Sequence, residues 1–458
     1  MRSATLPTLL TLTALLAACG GGGSGGTPPT PTPVPPAGSV CPQGVSSGPS
    51  AQAAPLPFQP DFTAGTVTAD WTAPHVPGEV LILGPAAANL SAQSVSALAG
   101  VTVQEVVPGL KLAATPAGRD DAAFAASLHA AGLRVQPNYL YRAQALPNDP
   151  GVNAGLPISG TRVTQTYLNR IKAPAAWDFL TACGKTPQGV VTAVIDSGVD
   201  ASHNDLTGRL LTPQTVTSGA ATQDDARHGT GVTGIIGAAT NNGVAVAGLT
   251  WGGTNMLSIR MLDAAGEGST TQLVQALQRA MNAGAKVINL SLGFEGANPD
   301  TAVSSALTDA AKQAVVIAAA GNTPGVGLFF PASHPAVISV GAVGSTNGTL
   351  ACYSAKPDAS QTAVAGNFIV APGGIDSRCG DKGGINDYTL TLMPGSGYGL
   401  MSGTSFAAPQ VSGVAALVRA ANSNLTADDT KKLILATVDR SAGLPLLDAN
   451  AAVRAATR

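Results

Sequence analysis

Gly189-Val190-Val191-Thr192-Ala193-Val194-Ile195-Asp196-Ser197-Gly198 is a continuous apolar, β-branched run that ends in an acid, a hydroxyl and a glycine. Such a run reads as a strand buried on both faces, as in parallel sheets, with its acid at the carboxyl end. Ligands and reacting groups in open α/β sheets gather at that edge. Working outward, His228-Gly229-Thr230-Gly231-Val232 comes next, with Val232, Ile235, Ile236 and Ala239 spaced for one helical face. Far downstream, Gly403-Thr404-Ser405-Phe406-Ala407-Ala408-Pro409 opens a second apolar helix, Phe406 to Val418. A hydroxyl there lies near the positive end of the helix dipole, among free N–H groups that can hold an oxyanion.

A serine hydroxyl is a poor nucleophile at neutral pH. It needs a base within hydrogen-bond reach, and the base needs a carboxylate to fix its tautomer. Asp196, His228 and Ser405 supply all three in the chain order Asp, His, Ser, one of the few orders known for this arrangement. Singly the motifs are ordinary: a turn after a strand, a surface histidine, an N-cap. Their order and spacing on one chain give them a joint meaning. The other histidines are poorer candidates. His75 and His129 fall in the N-terminal region, His203 in the loop after the acid, and His334 between Ser333 and Pro335.

From about Tyr167 to the C-terminus the chain resembles the subtilisin-like serine protease family, whose Asp, His and Ser signatures these stretches match nearly residue for residue. Val315-Val316-Ile317-Ala318-Ala319-Ala320-Gly321-Asn322 is similar to the family strand that ends in an oxyanion-hole asparagine. Val287-Ile288-Asn289-Leu290-Ser291-Leu292-Gly293 is similar to the strand that pairs with substrate and walls the pocket for the residue before the cut bond. The resemblance implies an α/β, three-layer fold with a mostly parallel central sheet. It implies Asp196, His228, Ser405 and Asn322 as catalytic residues and Ser291, Leu292 and Gly293 as substrate-binding ones. The expected chemistry is hydrolysis of peptide bonds through an acyl-enzyme, with no cofactor. Three departures stand out. Gly231 replaces a second histidine that many relatives carry, Phe406 replaces the usual Met, and the 325–331 loop is short. That loop borders the specificity pocket, so no side-chain preference is assigned beyond the family default for large apolar residues.

At 458 residues there is room for two or three domains. Charged residues are 11% and the net charge is −2, without a basic stripe, so nucleic acid is not an expected partner. Residues 1–19 read as an export signal: Arg2, a Leu9–Ala18 apolar run too short to span a bilayer, and Leu16-Ala17-Ala18-Cys19. That ending looks like a bacterial lipoprotein signal with an acylated Cys19; the alternative is an ordinary secretory signal. The expected location is the bacterial cell surface or envelope, anchored through Cys19 or released after processing. Residues 20–74, opening with Gly20–Gly26 and the Pro-rich Thr27–Pro36, read as a tether and extension. Four cysteines remain, with three pairings open. Cys352–Cys379 is the pairing expected, both lying in one loop-rich part; Cys41–Cys183 would then tie the extension to the enzyme.

Residues 75–145 read as a separate unit of pattern βαββαβ, the ferredoxin-like order. It resembles the inhibitory propeptide of subtilisin-like proteases, a template for a slowly folding sheet and then an intramolecular inhibitor. The alternative is a generic spacer domain. Residues 146–166 are expected to be a processing linker and 167–458 the catalytic domain. Asp205 and the loop Thr240–Val246, with Asn242 as side-chain ligand, resemble the family's calcium site; a plain Asn-Gly turn with Asp205 solvated is the other reading. The family's N-terminal glutamine ligand falls in register with Arg162, with Gln165 nearby. Two rival functions remain at this level: a non-catalytic, lipid-anchored binding module on the same fold, and an esterase using the same triad. A glutamate-based variant of the chemistry is disfavoured by His228-Gly229-Thr230.

Overall fold

A computed structural model describes residues 69–71, 75–84, 91–139, 146–185, 190–296, 300–380 and 384–457. Cys19, the tether and Cys41 lie outside them. In the N-terminal part, β1 (His75–Leu83), α1 (Ala92–Ala97), β2 (Val103–Val107), β3 (Leu110–Ala114), α2 (Asp121–Ala130) and β4 (Arg134–Tyr139) follow one another. Their antiparallel sheet has the order β2-β3-β1-β4, the ferredoxin-like arrangement. Ser91 and Asp120 cap the two helices through their side chains, as their residue types favour. Val80, Ile82, Phe124, Leu128 and Val135 form the small core between helices and sheet.

The larger part begins with a hairpin, β5 (Leu156–Ile158) and β6 (Thr161–Val163), then α3 (Thr166–Arg170) and α4 (Ala173–Ala182). It continues with β7 (Val190–Asp196), β8 (Gln214–Thr215), α5 (Gly229–Gly237), β9 (Thr254–Arg260), α6 (Thr270–Asn282) and β10 (Val287–Leu290). Next come α7 (Thr301–Ala310), β11 (Val315–Ala319), β12 (Ile338–Val343), β13 (Phe368–Pro372), β14 (Thr389–Met393) and β15 (Gly397–Met401). Helices α8 (Thr404–Ala421), α9 (Ala427–Ala436) and α10 (Ala449–Ala456) close the chain. Seven strands form one sheet, β13-β12-β11-β10-β7-β9-β8, with every pairing parallel.

Alternation along each strand sends side chains to two separate cores. Val194, Val287 and Ile317 pack under α5 and α8 on one face; Ala193, Ile195, Ile288 and Val316 pack under α6 and α7 on the other. The result is three layers, as the α/β expectation required. Helix α8 is buried along almost its whole length, which its run of Ala, Val and Gly allows. Among the described residues no helix is long and apolar enough to cross a membrane. The disulfide Cys352–Cys379 is present, with Cα atoms 5.2 Å apart; the partner suggested for Cys183, Cys41, lies outside the described residues.

The stretch 146–166, expected as a linker, is instead bonded into the larger part. Asp149 accepts from the backbone N–H groups of Asn241 and Asn242 at 2.7 and 3.2 Å. Gly151 N–H donates to Ala245 O at 2.8 Å, and Gly243 N–H to the Asn148 side chain at 2.7 Å. Two prolines around Asn148-Asp149 make the stretch look like an open turn, and only the facing loop supplies its partners.

Candidate active site

Strands β7, β10 and β11 end at one edge, with Ile195 beside Leu290 and Leu290 beside Ala318. Asp196 is the last residue of β7, fully buried. Helix α5 starts against that strand end because Gly229 has no side chain: a Cβ there would lie 2.1 Å from Gly198 O and 3.2 Å from Asp196 Cβ. His228, one residue earlier, is thereby brought to Asp196, and its Nδ1 lies 2.7 Å from Asp196 Oδ1. Its side chain is 26% exposed and packs on Phe406, with ring centroids 5.2 Å apart. Burial of the imidazole pulls its pKa down. The Asp196 charge and hydrogen bond, with Asp224 behind them, outweigh that, and the pKa is raised above the ordinary histidine value.

Two residues not singled out from the sequence complete this corner. Asp224 accepts from Ser197 Oγ at 2.6 Å, from His228 N–H at 3.2 Å and from Thr230 N–H at 2.8 Å. Ser197 Oγ in turn accepts from Gly229 N–H at 2.9 Å. The signal was an acid four residues before the histidine, which sequence alone cannot tell from a solvated turn.

Ser405 lies in the first turn of α8, where N–H groups lack intrahelical partners. Pro409 has no N–H to return to Ser405 O four residues back. Ser291 Oγ takes that role, donating to Ser405 O at 2.7 Å. Asn289 Nδ2 donates to Ser291 Oγ at 2.9 Å, and Ser412 Oγ to Asn289 Oδ1 at 2.8 Å, so a buried polar chain ties β10 to α8. The Ser405 hydroxyl itself donates to Ser291 O at 3.2 Å rather than to His228. Resting geometries of this kind tighten only when substrate is bound. Asn322 Oδ1 accepts from both Thr404 N–H and Thr404 Oγ–H at 2.9 Å. Its Nδ2 is left on the side of Gly403, whose added Cβ would be 3.5 Å away.

A cleft of about 700 Å³ opens beside these groups. His228, Ser291, Leu292, Gly293, Met261 and Leu273 are among the residues that line it.

Away from the cleft, Asp205 and Asp149 are both fully buried. Burial pushes the Asp205 carboxyl up to about 6, and the nearby Asp149 charge adds to it, against hydrogen bonds from Val246 N–H and Asn242. Burial raises Asp149 too. Asn242 Nδ2 donates to Asp205 Oδ1 at 2.8 Å, while its own Oδ1 accepts from Val244 N–H. His203 Nδ1 accepts from Asp205 N–H at 3.1 Å and its Nε2 meets Gly397 O at 2.9 Å. Two buried, mutually repelling carboxylates have the donor chemistry of a hard-cation site, although the loop groups that meet them here are N–H donors. Among the described residues, no three His, Cys, Asp or Glu side chains cluster as a metal group. Arg162, in register with the family glutamine, turns to Gly155 O at 2.7 Å. Gln165 is the buried one, exchanging hydrogen bonds at 2.8 Å with Ala247 N–H and O. Asp149 is the acid that sequence reasoning missed here.

The family model described as the subtilase family matches residues 187–452. A thermophilic serine proteinase of Bacillus sp. (strain AK1) is 34% identical over 317 residues, 68% of this chain and 68% of that protein. Subtilisin E of Bacillus subtilis (strain 168) is 34% identical over 259 residues, 55% of this chain and 60% of its own length. Among solved structures, a protease of Pseudoalteromonas arctica PAMC 21717 superposes with a TM-score of 0.54 at 29% identity, covering 68% of this chain and all of that one. The sheet order, the strand-end site and these matches agree: this chain belongs to the subtilase family of serine proteases.

Proposed function

We propose that the chain is a serine endopeptidase acting through Asp196, His228 and Ser405, with Asn322 in the oxyanion hole. The observation that carries this reading is the 2.7 Å Asp196–His228 contact at the mouth of a substrate-sized cleft. Ser405 Oγ turns from Ser291 O to His228 Nε2, gives up its proton there and attacks the peptide carbonyl. Asp196 holds the Nδ1–H tautomer and stabilises the imidazolium. Asn322 Nδ2 and the Ser405 N–H receive the oxyanion, a donor of this kind being worth about 2.7–4 kcal/mol of barrier. His228 then protonates the leaving amine, and water, deprotonated by His228, releases the acyl group. Ser291, Leu292 and Gly293 pair with substrate backbone. Fluorophosphonate labelling of Ser405, with casein cleaved faster than small esters, is the expected result. Ester turnover without peptide cleavage would move the assignment to the esterase class.

The same reading extends to maturation. The unit over 75–139 acts as the leader that restrains the enzyme. The cut falls within 140–146, because residues from Asn148 on are bonded into the larger part. Cys19 carries lipid and holds the exported protein at the membrane.

His228 must be neutral to act as base. Its raised pKa puts the acid limb of kcat/KM above the ordinary histidine midpoint near 6.5. Asp224→Asn removes one of the charges that raise it, so the midpoint should move to lower pH. A profile that stays in place would leave Asp224 a purely structural role.

Asp149, Asp205 and Asn242 are the residues that would hold a calcium ion, which supplies no step of the reaction and ties the 147–153 segment to the 241–246 loop. Chelation with EGTA should lower Tm by roughly 5–10 °C. The pH slope gives a second readout. A carboxyl raised to about 6 binds its proton more tightly folded than unfolded. Without cation, stability therefore rises as pH falls from about 6 towards 4. Bound cation holds the ionised form and removes that rise. A Tm indifferent to both chelator and calcium would assign the loop to hydrogen bonding alone.

A further inference from the structure

Leu328-Phe329-Phe330-Pro331 runs past the cleft with its side chains alternating. Leu328 is buried with Ala320, Ala355 and Val364, and Phe330 with Leu290 and Ala318. Phe329, between them, is only half-buried. Its backbone is held by its N–H to Ala320 O at 2.9 Å, and Phe330 pairs with Phe294 in both directions at 2.8 and 3.0 Å. A Cβ built on Gly321 would lie 2.3 Å from Phe329 Cδ1 and 2.5 Å from its Cγ. One built on Gly293 would lie 3.5 Å from Phe329 Cβ. The ring thus rests on the bare face of Gly321, beside Gly293.

Those two glycines flank the reacting atoms. Gly321 precedes Asn322, and Gly293 ends the segment whose Ser291 O accepts from the Ser405 hydroxyl. A carbonyl attacked by Ser405, with its oxygen turned to Asn322, must send the side chain of the residue before the bond into the gap between these segments. The open cleft is lined by Met261, Leu273, Gly293 and Phe330 and touches neither Gly321 nor Phe329.

We propose that Phe329 fills the pocket for the residue before the cut bond, so that the enzyme cuts after Gly, Ala or Ser and not after the large apolar residues that the family resemblance implied. This rests on the endopeptidase reading of the same site. The stretch where the leader should be cut, Tyr139-Leu140-Tyr141-Arg142-Ala143-Gln144-Ala145-Leu146, contains two such small residues, Ala143 and Ala145.

The test uses succinyl tetrapeptides identical except for a final Ala or Phe. They are assayed as nitroanilides with wild type, Phe329→Gly and Phe329→Ala, and as free acids binding to Ser405→Ala, freed of its leader by an added protease, with and without Phe329→Gly. Wild type should prefer Ala by more than about tenfold in kcat/KM, and either Phe329 variant should raise the Phe substrate by about tenfold or more. Binding to Ser405→Ala should follow the same order. Equal use of Ala and Phe by wild type, or a ratio unmoved in both variants, overturns the proposal. If nothing is hydrolysed but the binding order holds, the endopeptidase reading fails and the pocket assignment stands. If neither peptide binds or is cut, both fail.

Discussion

Expressed side by side, the wild-type chain is expected to shorten to a species beginning within residues 140–146, and Ser405→Ala to stay full length by intact mass. The reason is chemical. In the proposed mechanism the Ser405 hydroxyl forms the acyl bond, and without it His228 has no proton to take. Peptidase activity of a separately processed Ser405→Ala protein should fall about 10⁵–10⁶-fold, the scale of nucleophile loss in related enzymes. Residual catalysis would come from Asn322 and substrate binding alone. N-terminal sequencing should place the new terminus at Gln144 or Leu146, after Ala143 or Ala145. If wild type and variant both stay full length, the non-catalytic binding module becomes the better description. Shortening of both would assign the cut to another protease.

Asp196→Asn should cost about 10⁴-fold in kcat with little change in fold. Asp196 Oδ1 alone accepts from Ser197 N–H at 2.7 Å and faces His228 Nδ1 at 2.7 Å. Its Oδ2 is buried and has no hydrogen-bond partner among the described residues. An amide fits the same space with its nitrogen in the Oδ2 position, so the histidine keeps its orientation and loses the charge that supports the imidazolium. The acid limb of the pH profile should move down at the same time, because Asp196 is the stronger of the two carboxylates raising His228. A loss below tenfold, or an unmoved acid limb, would sink the assignment of Asp196 as the acid of the triad.

Both effects concern residues that were legible one by one. A β-branched run ending in an acid, a histidine before a helix of small residues, and a serine before another such helix carry strong local signals. The βαββαβ order of residues 75–139 was legible for the same reason, from the local alternation of strand-like and helix-like runs. Less legible was the 146–166 stretch. Its prolines and glycines look the same in an open linker as in a segment whose hydrogen bonds go to a distant loop. Arg162 and Gln165 could not be ranked by register, since only the packed structure turns one to Gly155 and buries the other against Ala247.

The sequence by itself determined the layered α/β fold, the order of elements over residues 75–139, and which residue types stand at the ends of β7, β10 and β11 and at the starts of α5 and α8. Periodicity, capping and turn chemistry act over a few residues, and those signals survive without any neighbour. Tertiary structure alone decided that Asp224 supports Ser197 and the His228 turn, that Asp149 lies against the Asn241–Asn242 loop near Asp205, and that Phe329 lies on Gly321. Each of these depends on where the sheet edge brings distant segments together. A charge or a ring acquires its role there from what it excludes from water and what it leaves room for.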